Sequence, residues 1–220
     1  MEIYTTRRFD SARLHFISRV NVMFTEEEFK KFTMELRIYL GLHHELYDNI
    51  CKDVYLEELT SKAFKQIGFG SDWKPICSHS VGKDQKVKND TKISNKSGMI
   101  IKKKDGDVKI KISGSRTSSY PTLEEKLNFL QEKEYDYLIG CGTNKKDDER
   151  KYYCYVLDSK KVDYFDLDWV EYLDKNGNPK YTGKGNGIVA NIKSQSMSSQ
   201  LWITIDKDFC DFFTILNIDF

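Results

Sequence analysis

Proline is scarce in this chain, with three residues in 220, and charged residues of both signs make up 31%. That combination excludes polyproline and low-complexity architectures. Cysteine is sparse and scattered: Cys51, Cys77, Cys141, Cys154 and Cys210 are odd in number and contain no Cys-x-x-Cys pair. Neither a disulfide framework nor a zinc cage is expected, and a reducing cytoplasm is the simplest compartment. No apolar run approaches membrane-spanning length, so no membrane partner is expected. Met1 to Asp10 lacks the apolar stretch and small-residue cleavage site of a signal peptide. There is no internal repeat.

What is present is a core. A hydrophobic content of 39%, with thirteen Tyr, thirteen Phe and three Trp, is enough for one large domain over residues 1–220. The net charge of +1 hides an asymmetry. Residues 83–116 hold eleven Lys or Arg against four Asp, so this segment carries +7 and the remainder −6. A basic block between acidic flanks suits a polyanion groove; the plainer alternative is a basic hairpin that is merely soluble.

Local patterns predict the elements. Thr25 with Glu28 forms a capping box for a helix through Phe29, Phe32, Leu36 and Leu40, ending near Gly41 or His43. A second helix spans about Asp53 to Ile67, with Gly68 as its stop. Short strands follow at Ile76–Ser80, Asp90–Lys103 and Val108–Ser113, the last two joined by an Asp105-Gly106 turn. A glycine and serine loop, 114–119, leads to a Thr122 capping box and a helix through Leu130, then a buried strand, Tyr135–Cys141. Further strands are read at 151–157, 162–165 and 201–205, separated by a turn at 176–179 and a glycine-rich stretch at 183–187. The fold class is therefore α/β, a mixed central sheet flanked by helices. An N-terminal helical region, 1–52, precedes a core, 53–141, and a β-rich C-terminal region, 142–220.

Chemistry concentrates in the basic hairpin. Hydrolysis of a phosphodiester needs a divalent metal, carboxylates to hold it and a lysine to position or activate the nucleophile. Asp90 at the start of one strand, with Lys109 and Lys111 on one face of the next, is expected to converge across the ladder. The succession helix, three strands, helix, strand, with Asn89-Asp90-Thr91-Lys92-Ile93 and Lys109-Ile110-Lys111, resembles the PD-(D/E)xK nuclease superfamily, and more narrowly its type II restriction endonucleases. The resemblance spans about ninety residues.

It implies a Mg2+-dependent endonuclease cutting double-stranded DNA at a short specific sequence, with Asp90 holding metal and Lys111 assisting the attacking water. Lys109 stands where the family has an acid or amide, and a second cation there weakens metal binding. Two repairs are open. Glu57 or Glu58, on the preceding helix, can supply the carboxylate, with Glu58 beside the apolar stripe. Alternatively Asp84 holds the metal and pairs across a shorter hairpin with Ser94 and Lys96. Asp90 is favoured because Thr91-Lys92-Ile93 continues as a strand and the Lys-Ile-Lys strand ends in Ser-Gly.

DNA contacts are expected from Lys86, Lys88, Lys92 and Arg116 of the basic block. The polar run Lys193, Ser194, Gln195, Ser196, Ser198, Ser199 and Gln200 carries amide and hydroxyl groups suited to phosphates and base edges. An ordinary polar loop is the competing reading. Gly183–Gly187 lacks the trailing Lys-Ser/Thr of a phosphate loop, so nucleotide binding is not expected. His79 reads as a structural polar residue. A homodimer is one assembly open to such an enzyme. The other functional readings are a non-catalytic DNA-binding protein and a repair or phage nuclease with little sequence preference.

Overall fold

Thr25 opens helix α1 (Glu26–Leu46): its hydroxyl accepts from the Glu28 amide while the Glu28 carboxylate accepts from the Thr25 amide at 2.7 Å. The reciprocal cap is the one that the sequence predicts. The helix continues past Gly41, because that glycine is buried and His44 beyond it bonds the Tyr152 hydroxyl at 2.8 Å. Tertiary contact here outweighs the glycine's helix-breaking tendency. Helix α2 (Asp53–Gln66) stops as expected, with Gly68 at φ +83°.

The computed structural model describes residues 6–7, 23–75, 82–104, 106–144, 150–194 and 199–218, the side chain of Ser194 excepted. The expected strand 76–80 with His79, and Asp105, Gln195, Ser196 and Ser198, lie outside the described residues.

The strands are β1 (Thr6–Arg7), β2 (Gln85–Val87), β3 (Thr91–Lys102), β4 (Val108–Arg116), β5 (Tyr137–Thr143), β6 (Lys151–Asp158), β7 (Asp168–Leu173), β8 (Pro179–Gly185), β9 (Ile188–Ser194), β10 (Ser199–Asp206) and β11 (Phe212–Asn217). Helix α3 (Leu123–Gln131), capped by Thr122, connects β4 to β5. The described strands form one open mixed sheet in the order β1-β7-β8-β9-β10-β4-β3-β5-β6-β11, with β2 set against β3. Strands β3 and β5 are parallel, as a crossover through a helix requires, and their neighbours are antiparallel. The protein is thus α/β, with three described helices on a mixed open sheet.

Strand alternation divides the core into two layers. Tyr152, Cys154 and Val156 of β6 pack with α1 and α2 residues such as Phe32, Leu36, Leu56 and Phe64. Tyr153, Tyr155 and Leu157 pack on the other face with Leu123, Leu127 and Leu130 of α3.

Three expectations about strands are corrected. The segment 162–165 is not a strand: its Val162 carbonyl, like that of Ser159, accepts from the Lys133 ammonium, which replaces a ladder partner. Residues 183–185 end strand β8, and the turn lies at Asn186 (φ +47°) and Gly187 (φ +76°). The loop expected at 114–119 begins later, because β4 stays paired with β10 to Arg116 across a bulge.

Candidate active site

A gap in the sheet creates the site. On one edge of β3, β2 pairs with residues 91–93 and β4 pairs with residues 98–102. Ile93 and Gly98 also pair with β5, so β2 and β4 share the opposite edge and leave residues 94–97 between them without a strand neighbour there. β4 meanwhile follows β10 through its bulge. The resulting cleft has a volume of 1230 Å³. One wall carries Glu57, Trp73, Asp84, Ser94, Asn95 and Lys96, and the other carries Ser113, Ser115, Arg116, Tyr120 and Gln200.

Asp84 fills the gap. Its Oδ2 accepts from the Asn95 backbone amide at 2.6 Å and from the Ser94 hydroxyl at 3.2 Å, leaving Oδ1 with no hydrogen bond. The Asp84 amide in turn donates to the Ile93 carbonyl at 2.8 Å, which fixes the residue at the end of the β2–β3 hairpin. Burial pushes its carboxyl above the usual range, while Lys96, the Asn95 amide and the Ser94 hydroxyl pull it back.

Glu57 approaches from α2. The first residue of that helix is fastened to the open stretch of β3 by the Asp53 amide donating to Ser97 Oγ at 3.0 Å. A buried polar chain then holds the helix down: Thr60 donates to Asn95 Oδ1, Gln85 donates to Thr60, and Ser71 links Gln85 to Ser61. Glu57 Oε2 accepts from the Trp73 indole at 3.3 Å. Its carboxyl is raised by burial and then by the negative charge of Asp84, and lowered by Trp73 and Lys96. Two half-buried carboxylates therefore repel each other beside one ammonium.

Lys96 is seated by its backbone, whose carbonyl accepts from the Tyr155 hydroxyl at 3.1 Å. Gly140 pairs opposite it on β5, and a Cβ there would overlap that carbonyl. Asn95 is buried, and its Nδ2 has no hydrogen-bond partner.

The expected convergence of Asp90 with Lys109 and Lys111 does not occur. Asp90 lies in the turn before β3 at φ +57°, with its side chain 90% exposed and 3.8 Å from Lys86. Met99 and Ile101, not the start of β3, stand opposite Lys111 and Lys109. Both lysines project from the face opposite Ile110 and Ile112 and are engaged by β10: Lys109 pairs with Asp206 at 2.7 Å, and Lys111 lies 5.1 Å from the Trp202 ring. Glu58 turns outward to pair with Lys62 at 2.9 Å, and Glu57 takes the inward position. The structure instead brings together the other grouping, Asp84, Ser94 and Lys96, with Glu57 beside it.

Among the residues expected to touch DNA, Arg116 and Gln200 line the cleft. Lys88 is held by Glu28 at 3.0 Å and sits over the Phe69 ring, Lys92 and Lys193 are exposed, and Ser199 bonds Thr117 at 3.1 Å. Trp73, Asn95, Tyr120 and Lys133 escaped sequence reasoning. They come from four separate segments, and only folding makes them neighbours.

No group of three or more His, Cys, Asp or Glu among the described residues is placed to hold a metal ion. The pair Glu57 and Asp84 still fits a hard cation of the Mg2+ type, which takes one or two carboxylates and leaves its other positions to water and phosphate oxygens. Among the described helices none is long and apolar enough to cross a membrane. Comparison with protein-family models, curated proteins and solved structures gave no match.

Proposed function

We propose that this chain is a metal-dependent endonuclease that hydrolyses phosphodiester bonds in double-stranded DNA, with Glu57, Asp84 and Lys96 as its catalytic group. The observation that carries the reading is the meeting of two mutually repelling carboxylates and one lysine at the gap in the sheet, beside an open cleft. The order α2-β2-β3-β4-α3-β5 supports a nuclease-like core of the PD-(D/E)xK kind, with Ser94 where that family has an acid.

Glu57 and Asp84 Oδ1 are the atoms that would hold Mg2+. The cation when bound would offset charge developing on the phosphate and acidify a water. The chain's own groups do the remaining work. Asp84 is held rigid by the Asn95 amide, Trp73 orients Glu57, and the Lys96 ammonium stabilises the negative charge that builds up as water attacks. Arg116 and Gln200, paired across β4 and β10 on the opposite wall, are suited to a phosphate and a base edge respectively. This supports a site-specific enzyme of the type II restriction class.

Incubation of supercoiled plasmid with the protein in Mg2+ and in EDTA tests the proposal. Linear or fragmented DNA only with Mg2+ supports it, discrete fragments support site specificity, and a smear indicates little sequence preference. Retained, salt-sensitive duplex binding with no cleavage under any divalent metal would overturn it in favour of a DNA-binding protein.

A further inference from the structure

Helix α1 carries a second face that the core does not use. Met34, Ile38, Leu42 and Leu46 recur every fourth residue, and each is between 53% and 77% exposed. They form one i±4 ridge about 18 Å long, a row of the kind by which helices interlock. Tyr47 and Tyr55 extend it: His43 of the same helix lies 5.0 Å from the Tyr47 ring and 6.0 Å from Tyr55, and the two tyrosines are 6.1 Å apart. Together these six side chains expose on the order of 700 Å², above what monomeric proteins leave bare and close to the roughly 800 Å² that each partner gives a stable interface.

We infer that this ridge is the interface of a homodimer in which two α1 helices pack antiparallel about a twofold axis. The spacing is self-complementary. An axis passing midway between Ile38 and Leu42 sets Ile38 beside the partner's Leu42, and Met34 beside the partner's Leu46, so that one patch serves both copies.

Charge selects the orientation. Lys31 stands at one end of the ridge and Asp48 just past the other, both exposed, with Arg37 and Glu45 on its flanks. In the antiparallel arrangement Lys31 approaches the partner's Asp48 and Arg37 approaches the partner's Glu45. A parallel pair would set each of these against its own like charge. Antiparallel packing also places each helix N-terminus near the partner's C-terminus, which aligns the helix dipoles favourably. Lys31 is already within 2.7 Å of Glu27, but that pair is exposed on both sides and leaves the ammonium free to share.

The inference does not depend on the nuclease reading, because its readout is mass. Sedimentation equilibrium of the full chain at micromolar concentration, without DNA or metal, should give twice the chain mass. Leu42→Glu and Ile38→Glu, each at an exposed site and each checked for native circular dichroism, should give the monomer. Lys31→Glu should weaken the dimer at least several-fold, and adding Asp48→Lys should restore it. A monomeric wild-type chain would overturn the inference and assign the ridge to residues 8–22 or to another protein. A dimer that survives both glutamate variants, or a Lys31→Glu defect that Asp48→Lys fails to repair, would overturn this interface.

Discussion

Asp84 takes the place of a strand at Asn95: its Oδ2 accepts the Asn95 amide at 2.6 Å, a bond that a carbonyl of β4 would make if the two strands stayed together. The proposed active site is therefore a sheet that parts and is closed by a carboxylate.

The first prediction separates the two candidate aspartates. Asp84→Asn keeps an acceptor for the Asn95 amide but removes the charge, so cleavage should fall by orders of magnitude while duplex binding stays within about tenfold, or 1.4 kcal/mol. Asp90→Ala, in an exposed turn, should cleave at close to the normal rate. Single-turnover assays and a binding titration on the same DNA decide between them.

The lysines should divide in the same way. Lys96→Ala should lower the cleavage rate by about a hundredfold or more, the scale expected when a group that stabilises developing charge is removed. Lys111→Ala and Lys109→Ala should have far smaller effects on rate, because these side chains serve Trp202 and Asp206 on the other face. Lys109→Ala should instead cost a little stability, measurable by urea titration.

Acid should act on activity and stability in opposite directions. Glu57 and Asp84 both have raised carboxyl pKa values in the folded state, so the fold binds their protons more tightly than the unfolded chain does. Their contribution to stability is best at pH values below the unfolded carboxylate range and is lost as pH rises through the folded values. At neutral pH the combined Glu57→Gln and Asp84→Asn variant should melt higher than the wild type, with the difference shrinking as the pH falls into the carboxylate range. Wild-type cleavage should decline over the same fall in pH, as the metal-holding groups protonate. Melting curves at a series of pH values, set beside initial rates, test both signs.

Metal should also register without DNA. A cation at a hundred times its dissociation constant adds about 2.7 kcal/mol to folding. For a chain of this size that is a rise of roughly 5–10 °C in melting temperature. Mg2+ should produce such a rise in the wild type and none in the doubly substituted variant. An equal rise in both would place the cation elsewhere.

Much of this architecture was legible in the sequence because its signals are local. Both capping boxes, the Gly68 stop and the alternation of Val108, Ile110 and Ile112 depend on near neighbours, and the structure has them all. Asp90 misled because it directly precedes a strand; Asn89 and Asp90 both adopt left-handed φ, which makes them a reversal between β2 and β3 and not a strand opening. The grouping of Asp84 with Lys96 depends on β2 and β4 leaving the same edge of β3, a non-local fact that residue spacing does not encode. Gly183 reads as part of a loop, yet it lies within β8 because the Trp169 indole packs against it; a Cβ there would sit 2.7 Å from the ring. Its missing side chain serves packing and not a turn.

The parted sheet has one more consequence, for how this protein could fail. Residues 94–97 of β3 are an unpaired edge set in the middle of a sheet, and such edges invite strands from other molecules. Asp84 occupies the amide that an intruding strand would claim first, and its charge repels the attempt. A chain carrying Ala at position 84 would lose the plug along with the chemistry, so inactivity and strand-mediated aggregation would arrive together. A chain carrying Asn there would be inactive yet remain soluble.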